Sequence, residues 1–329
     1  MQKQEWRSVS CLENNKSVLV TGASGFLGQA LCRKLLASGI RVKGAVRSSE
    51  KLSSLPEGAI AVQVGEISGD TSWDAALEGI GAVVHLAGIA HRTDKRAQDL
   101  CEYRRVNVLG TECLARACAR AGVRRVVFLS SIGVNGDSTG KGPFSENDIP
   151  SPVGAYALSK WEAEQALRRV ARDTGLEVVI LRPPLVYGPK APGNFARLMS
   201  LIKRGMPLPL GRVSNTRSFI YIENLMDAVL SCLEHPQASG QTFLLSDGED
   251  LSTPDLIRKI AAAMNKKAIL FSLPLGILKA LGILAGQREA MEKLTGSLRV
   301  DSRKIRHLLG WSPPFTLKEG IAEAVRGSL

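Results

Sequence analysis

Two serines, a tyrosine and a lysine carry the sharpest chemical signal in the sequence. Ser130 and Ser131 close an apolar run, and Tyr156-Ala157-Leu158-Ser159-Lys160 opens a helical pattern. Tyr156 and Lys160, four residues apart, then share one helical face. An ammonium beside a phenol stabilises the phenolate, so the Tyr156 pKa is expected to fall toward neutrality. The phenol would then exchange a proton with a substrate hydroxyl or carbonyl. Ser131 would hydrogen-bond the same oxygen, with Ser130 supporting the loop. A Tyr-x-x-x-Lys pair alone is also a helix-surface pair worth roughly a few tenths of a kcal/mol. Its place after a serine-ended strand and a glycine loop argues for chemistry.

That loop is Thr21-Gly22-Ala23-Ser24-Gly25-Phe26-Leu27-Gly28. Glycines let a backbone approach a pyrophosphate, and the helix that follows offers unpaired N–H groups. The spacing therefore predicts a nicotinamide dinucleotide on Gly22, Ser24, Gly25, Phe26, Leu27 and Gly28, with Lys160 also holding the nicotinamide ribose. A free ribose 2′-hydroxyl calls for an acidic residue after the second strand, where this chain has Ala45-Val46-Arg47-Ser48. Arg47 suits the 2′-phosphate of NADP instead, with Ser48 and Lys51 as helpers; an ordinary exposed arginine is the alternative. Glu66 and Ile67, after the third strand, and Leu86-Ala87-Gly88, after the fourth, are placed to border the cofactor. Asn107 either braces the active-site strand as a buried amide or lies on a solvated helix face.

These residues need elements to hold them. Apolar strand-like runs at 17–21, 40–46, 60–64, 82–86, 125–129 and 177–181 alternate with helical patterns such as 26–37. Strands this apolar imply a parallel sheet covered on both faces, an α/β doubly wound Rossmann-type architecture over residues 16–182. Residues 1–15 read as an N-terminal extension. From 183 to 329 the alternation loosens into helices at 194–204 and 222–233, a strand at 242–245 and a helix from Pro254. This half is expected to form a smaller, interleaved substrate-binding lobe. The apolar segment 268–285 is interrupted by Pro274, Gly276, Lys279 and Gly282, too broken to span a bilayer. A buried or lid-forming helix is expected there in preference to membrane contact.

The chain has 329 residues, 44% of them hydrophobic and 22% charged, which excludes a disordered or fibrous protein. No leader pattern precedes residue 16, so a cytoplasmic location is expected. Six cysteines, Cys11, Cys32, Cys101, Cys113, Cys118 and Cys232, lack metal-ligand spacing and are expected as buried free thiols, with no metal. The net charge of +12 is dispersed rather than striped beside aromatic residues. Phosphorylated small ligands account for it with fewer assumptions than nucleic acid or an anionic membrane surface does.

With Gly22-x-x-Gly25-x-x-Gly28, Ser130-Ser131, Tyr156-x-x-x-Lys160 and the run Leu181-Arg182-Pro183-Pro184-Leu185-Val186-Tyr187-Gly188-Pro189 in place, the chain resembles the extended short-chain dehydrogenase/reductases. That group includes UDP-hexose 4-epimerases, dTDP-glucose dehydratases and nucleotide-sugar reductases. The resemblance covers nearly everything after Lys16. It implies that Pro183 borders the nicotinamide and that Asn194 and Arg217 meet the diphosphate of a UDP-linked sugar. An N-cap and a surface ion pair are the plain readings of Asn194 and Arg217. The family's later arginine has no clear match, with Lys293 and Arg299 as the substitutes. Family members often pair through the helices near 107–121 and 156–171, so a homodimer is expected.

Dehydratases of the group carry an acidic pair near the serine, and Ser131-Ile132-Gly133-Val134 has none. An epimerase holds NAD through its cycle, whereas a reductase exchanges a reduced cofactor, often NADPH, at each turnover. Arg47 favours the reductase and NADP(H) over NAD(H). The stretches at 130–136, 207–211 and 244–253 resemble bacterial 4-keto reductases of surface polysaccharide (O-antigen) synthesis. Those form UDP-N-acetylquinovosamine from UDP-2-acetamido-2,6-dideoxy-xylo-4-hexulose. A 4-epimerase of UDP-glucose or UDP-N-acetylglucosamine, and a non-catalytic NADP-binding sensor or scaffold, are the alternatives.

Overall fold

The computed structural model describes residues 17–90, 99–140, 142–284 and 288–328; the extension 1–15 and Cys11 lie outside them. Runs of apolar residues without polar alternation need a sheet covered on both faces. They form one here. β1 (Ser17–Thr21), β2 (Arg41–Val46), β3 (Ile60–Gln63), β4 (Ala82–His85), β5 (Arg125–Leu129) and β6 (Glu177–Arg182) lie parallel in the order β3-β2-β1-β4-β5-β6. The expected strands are all present, with bounds shifted by a residue at some ends. After β7 (Leu185–Tyr187) and β8 (Arg217–Tyr221), the chain returns as β9 (Thr242–Leu244) to pair parallel with β6.

The helices of the first half are α1 (Phe26–Ala37), α2 (Asp74–Leu77), α3 (Leu100–Tyr103), α4 (Gly110–Arg120) and α5 (Gly154–Thr174). Those of the second are α6 (Asn194–Lys203), α7 (Ile222–Glu234), α8 (Thr253–Ala263), α9 (Leu275–Leu284), α10 (Arg288–Thr295), α11 (Arg303–Leu309) and α12 (Leu317–Arg326). Side chains alternate across a strand, so the sheet feeds two cores. Val18, Val20, Val127 and Leu181 pack with Leu31 and Leu35 of α1 and Leu225 and Val229 of α7. Leu19, Val126, Phe128 and Ile180 pack with Leu114 and Cys118 of α4 and Leu167 and Val170 of α5.

The second half holds a feature the sequence reading lacks, a small sheet in which β8 runs parallel to β7 and antiparallel to β10 (Asp250–Leu251). Three residues of β7 between Pro184 and Pro189 are too few to show a period. The halves interlock through charge as well as apolar surface. Buried Arg125, at the start of β5, donates to the carbonyls of Cys232, Leu233 and His235 at the end of α7, at 2.8, 3.1 and 2.9 Å. Its other partner is Glu177 at 2.6 Å. These carbonyls are ones the helix end leaves unpaired.

Two expectations are corrected. The buried alternative for the segment 268–285 fails over its described first part, where Ile269, Phe271, Leu275 and Ile277 are exposed and only Leu278 of residues 275–278 is buried. The alternation of exposed Ile269 and Phe271 with inward Leu270 follows from backbone pairing of this segment with Leu208. No helix among the described residues is long and apolar enough to cross a membrane. Of the thiols, Cys32, Cys118 and Cys232 are buried, but Cys113 is half-buried and Cys101 is exposed beside the start of α3.

Candidate active site

A parallel sheet places every strand's carboxyl end on one edge, and the chain direction reverses its winding between β1 and β4. The predicted site residues follow these ends in spatial order. Glu66 and Ile67 come after β3, Arg47 after β2, the glycine loop after β1, Leu86-Ala87-Gly88 after β4, Ser130-Ser131 after β5 and Pro183 after β6. Gly22 turns left-handed at φ 67°, and any Cβ at Gly28 would collide with the Gly22 carbonyl oxygen. The loop between them, with Ser24, Gly25, Phe26 and Leu27, therefore packs backbone against backbone. Gly25 caps α1 with no side-chain bond, and its first turn carries no acid. Unpaired N–H groups in such a cradle fit a pyrophosphate.

Arg47 is exposed and has no carboxylate partner among the described residues. Glu66 is exposed and lies 3.5 Å from the Arg105 guanidinium, while the Ile67 side chain packs into the core under α4. Gly88 passes so close to its neighbours that a Cβ there would sit 2.8 Å from Asn107 Oδ1 and 3.5 Å from Lys160 Nζ. Asn107 is buried on a π-helical turn, Arg104–Leu109, that joins α3 to α4. Its amide donates to Ile89 O and Ser159 Oγ, and its carbonyl accepts from Ile89 N at 2.8 Å. Asn107 thus braces the exit of β4 against α5, rather than β5, the strand that ends in the serines.

Ser131 and Tyr156 are brought together. Ser131 shares a hydrogen bond with the Tyr156 hydroxyl, and its Oγ accepts from Gly133 N at 3.1 Å. Tyr103 stands edge-on to the Tyr156 ring at 6.3 Å between centres. Lys160, one turn further along α5, donates from Nζ to Leu129 O at 2.9 Å and lies 4.6 Å from the Phe128 ring centre. The lysine is thus anchored on β5. Burial pushes its pKa down to about 8 against the opposing charge of Glu164. Burial pushes the Tyr156 phenol up to about 12, against the lowering effect of the Ser131 bond. The expected fall toward neutrality is therefore corrected: desolvation outweighs the charges around this phenol. The phenol thus keeps its proton at neutral pH.

The groups behind this pair escaped the sequence reading. Ser130 Oγ donates to Glu164 Oε1 at 2.5 Å. Fully buried Glu164 also accepts from Arg182 Nε and Nη2 at 2.9 and 2.5 Å, and Arg182 Nη1 donates to Asn135 Oδ1 at 2.9 Å. The signal available was an arginine closing an apolar strand, which needs a buried acceptor. A second chain runs through buried His85. Thr111 Oγ1 gives its proton to Asn107 O at 2.6 Å, so it accepts from His85 Nε2 at 2.9 Å. Nδ1 then accepts from Thr21 Oγ1 at 2.7 Å, and Thr21 accepts from Ala87 N at 3.1 Å. Burial holds His85 neutral, its pKa pushed down to about 3, and the chain admits one tautomer.

In the second half, Asn194 is exposed at the first residue of α6, where Gly193 rather than Asn194 is the N-cap. Arg217 is half-buried and donates to Gly296 O at 2.9 Å, with no ion pair among the described residues. Both plain readings, an N-cap and a surface ion pair, are thereby replaced. Arg299 follows Leu298, whose backbone pairs with Arg217, whereas Lys293 lies on α10. The two arginines are carried on adjacent extended segments.

Comparison with known proteins agrees with this geometry. The profile of the NAD dependent epimerase/dehydratase family matches residues 18–245. A UDP-glucose 4-epimerase of Vibrio cholerae is 42% identical over 318 residues, 95% of this chain and 96% of the relative. A dTDP-4-dehydro-6-deoxyglucose reductase of Escherichia coli is 28% identical over 94% of this chain and 96% of its own. Among solved structures, MoeE5 in complex with UDP-glucose and NAD superposes with a TM-score of 0.77 at 27% identity, covering 94% of this chain and 98% of that one. The chain is a member of the NAD dependent epimerase/dehydratase family of enzymes, whose nucleotide-sugar epimerases and reductases are among its relatives.

Proposed function

We propose that this protein reduces the C4 ketone of a UDP-linked 6-deoxy sugar, UDP-2-acetamido-2,6-dideoxy-xylo-4-hexulose, to UDP-N-acetylquinovosamine. The observation that carries the reading is Arg47, an exposed cation without a carboxylate partner among the described residues, where a dinucleotide with a free 2′-hydroxyl would meet an acid. It favours NADPH, which supplies the hydride to C4 when bound in the glycine cradle. Gly22, Ser24, Gly25, Phe26, Leu27 and Gly28 hold its pyrophosphate, and Leu86, Ala87, Gly88, Asn107, Ser130 and Pro183 frame the rest. Ser131 donates a hydrogen bond to the ketone oxygen, and Tyr156 passes its proton to that oxygen as the C–H bond forms. The C=O becomes CH–OH. Lys160 fixes the ribose and returns positive charge to the phenolate left behind. Asn194, Arg217 and Arg299 receive the diphosphate.

A second reading, 4-epimerisation of UDP-glucose, is favoured by the 42% identity to the V. cholerae enzyme. Both readings use the same tyrosine, as acceptor of a hydroxyl proton when epimerisation begins and as donor to the ketone in reduction, so the cofactor consumed rather than the phenol separates them. Incubation with NADPH and the 4-keto sugar, followed by absorbance of the reduced nicotinamide and NMR of the product, decides between them. The reductase consumes NADPH, and Arg47→Asp raises the KM for NADPH roughly ten- to a hundredfold while sparing NADH. No consumption, with UDP-glucose and UDP-galactose interconverting, overturns the reductase.

A further inference from the structure

Near the end of α6 the molecule presents large apolar side chains beside cations that have no carboxylate partner among the described residues. Met206, Ile269, Phe271, Leu275 and Ile277 are 44–52% exposed. They lie on the two paired segments 206–211 and 269–272 and on the first turn of α9. Monomeric proteins rarely leave so many large apolar groups together in water. Beside them stand Lys203, Arg204, Lys266 and Lys267, all exposed. Lys266 Nζ hydrogen-bonds the Lys203 carbonyl, which places the end of α6 against the segment that leads into Ile269. None of the four cations has a carboxylate partner among the described residues. Next to this face a groove of about 560 Å³ runs along α6, lined by Phe195, Met199 and Met264 and by Lys190 and Lys203.

We propose that this face docks the enzyme on an anionic bilayer surface, with the apolar side chains in the interfacial region and the four cations among lipid phosphates. An apolar protein partner would bury Ile269 and Phe271 but would leave the cations unmatched. A sheet of negative headgroups satisfies both at once, and the mixture of an apolar face with flanking Lys and Arg is what interfacial segments carry. No helix among the described residues is long and apolar enough to span, and residues 269–277 rest at the surface instead. The net charge of +12 adds long-range attraction to the same surface. This inference is independent of the sugar chemistry, because binding to lipid requires neither substrate nor turnover.

The test uses the full chain and vesicles of phosphatidylcholine, with and without phosphatidylglycerol, read by co-sedimentation. Wild type is expected to bind the anionic vesicles, weakly the neutral ones, and to be released by salt. Each lysine removed in Lys266→Ala plus Lys267→Ala should lower partitioning about fivefold on anionic vesicles only. Phe271→Ser plus Ile277→Ser should lower it roughly tenfold or more on anionic vesicles. Both variants change exposed side chains, so their unfolding midpoints should match wild type, which separates lost docking from lost fold. Absence of wild-type binding, or binding that both variants retain, overturns the proposal. So does sedimentation of wild type as a dimer that Phe271→Ser plus Ile277→Ser dissociates, since a second copy of the chain would then be the occupant.

Discussion

Tyr156 and Lys160 sit one helical turn apart yet are tuned by burial in opposite senses, the phenol up to about 12 and the ammonium down to about 8. Removing the phenolic hydroxyl in Tyr156→Phe should therefore lower kcat by roughly 10²- to 10⁴-fold, with the KM for the sugar little changed, as steady-state kinetics will read. Lys160 gives a pH signature. The unfolded chain keeps this proton up to about 10.5 and the folded chain only up to about 8. Between those values the unfolded state binds more protons, so the Lys160 contribution to stability rises with pH across that window. Urea unfolding at pH 8 and pH 10 should show this increment in wild type and not in Lys160→Met. The KM for NADPH should rise over the same range as the ammonium is lost. The shared helical turn of Tyr156 and Lys160 was legible from their spacing, and Ser131 from its place at the end of an apolar run; their pKa values were not, since desolvation belongs to the packed site. Glu164 was invisible as a working residue because its partners, Ser130 and Arg182, are 34 and 18 residues away.

α5 carries the phenol on its first turn and the buried carboxylate of Glu164 on its third, so one helix both presents Tyr156 and fixes the end of β5. Glu164→Gln leaves Arg182 as a buried cation with half its acceptor set, and should cost about 3–5 kcal/mol in urea unfolding. The double substitution Glu164→Leu with Arg182→Met should cost much less than the sum of the single changes, because neither charge is then stranded. Additive losses would show that the pair contributes little beyond packing. The longer elements were readable from the sequence: α1 begins and ends where the apolar period does, and β1 and β5 are uninterrupted apolar runs. β7, β8 and β10 were not, because strands of three, five and two residues fix their place by pairing with each other rather than by any period of their own. The π turn holding Asn107 was equally hidden. A helix written in the sequence does not announce one widened turn, which here faces Ile89 and Ser159.

The two halves of the chain are interleaved. β9 covers the edge of β6 through the registers Ile180 with Thr242, Leu181 with Phe243 and Arg182 with Leu244. α7 lies on α1, where Lys34 and Asp227 pair at 3.1 Å, and the end of α7 is closed by Arg125. A fragment ending at residue 182 therefore loses more than a substrate lobe. β6 becomes an open edge of apolar residues, Arg125 keeps only Glu177 of its partners, and the α1 face that packs on Leu225 and Val229 meets water. We propose 182 as the boundary of sequence type, with the folding unit extending past it. Residues 16–182 expressed alone should then bind a hydrophobic dye and unfold over a broad urea range, whereas the full chain unfolds in one sharp transition. A sharp transition in the fragment would instead mean that the dinucleotide half holds its own core. The return of β9 and α7 would then serve to align the sugar-binding half with Tyr156 rather than to complete the fold.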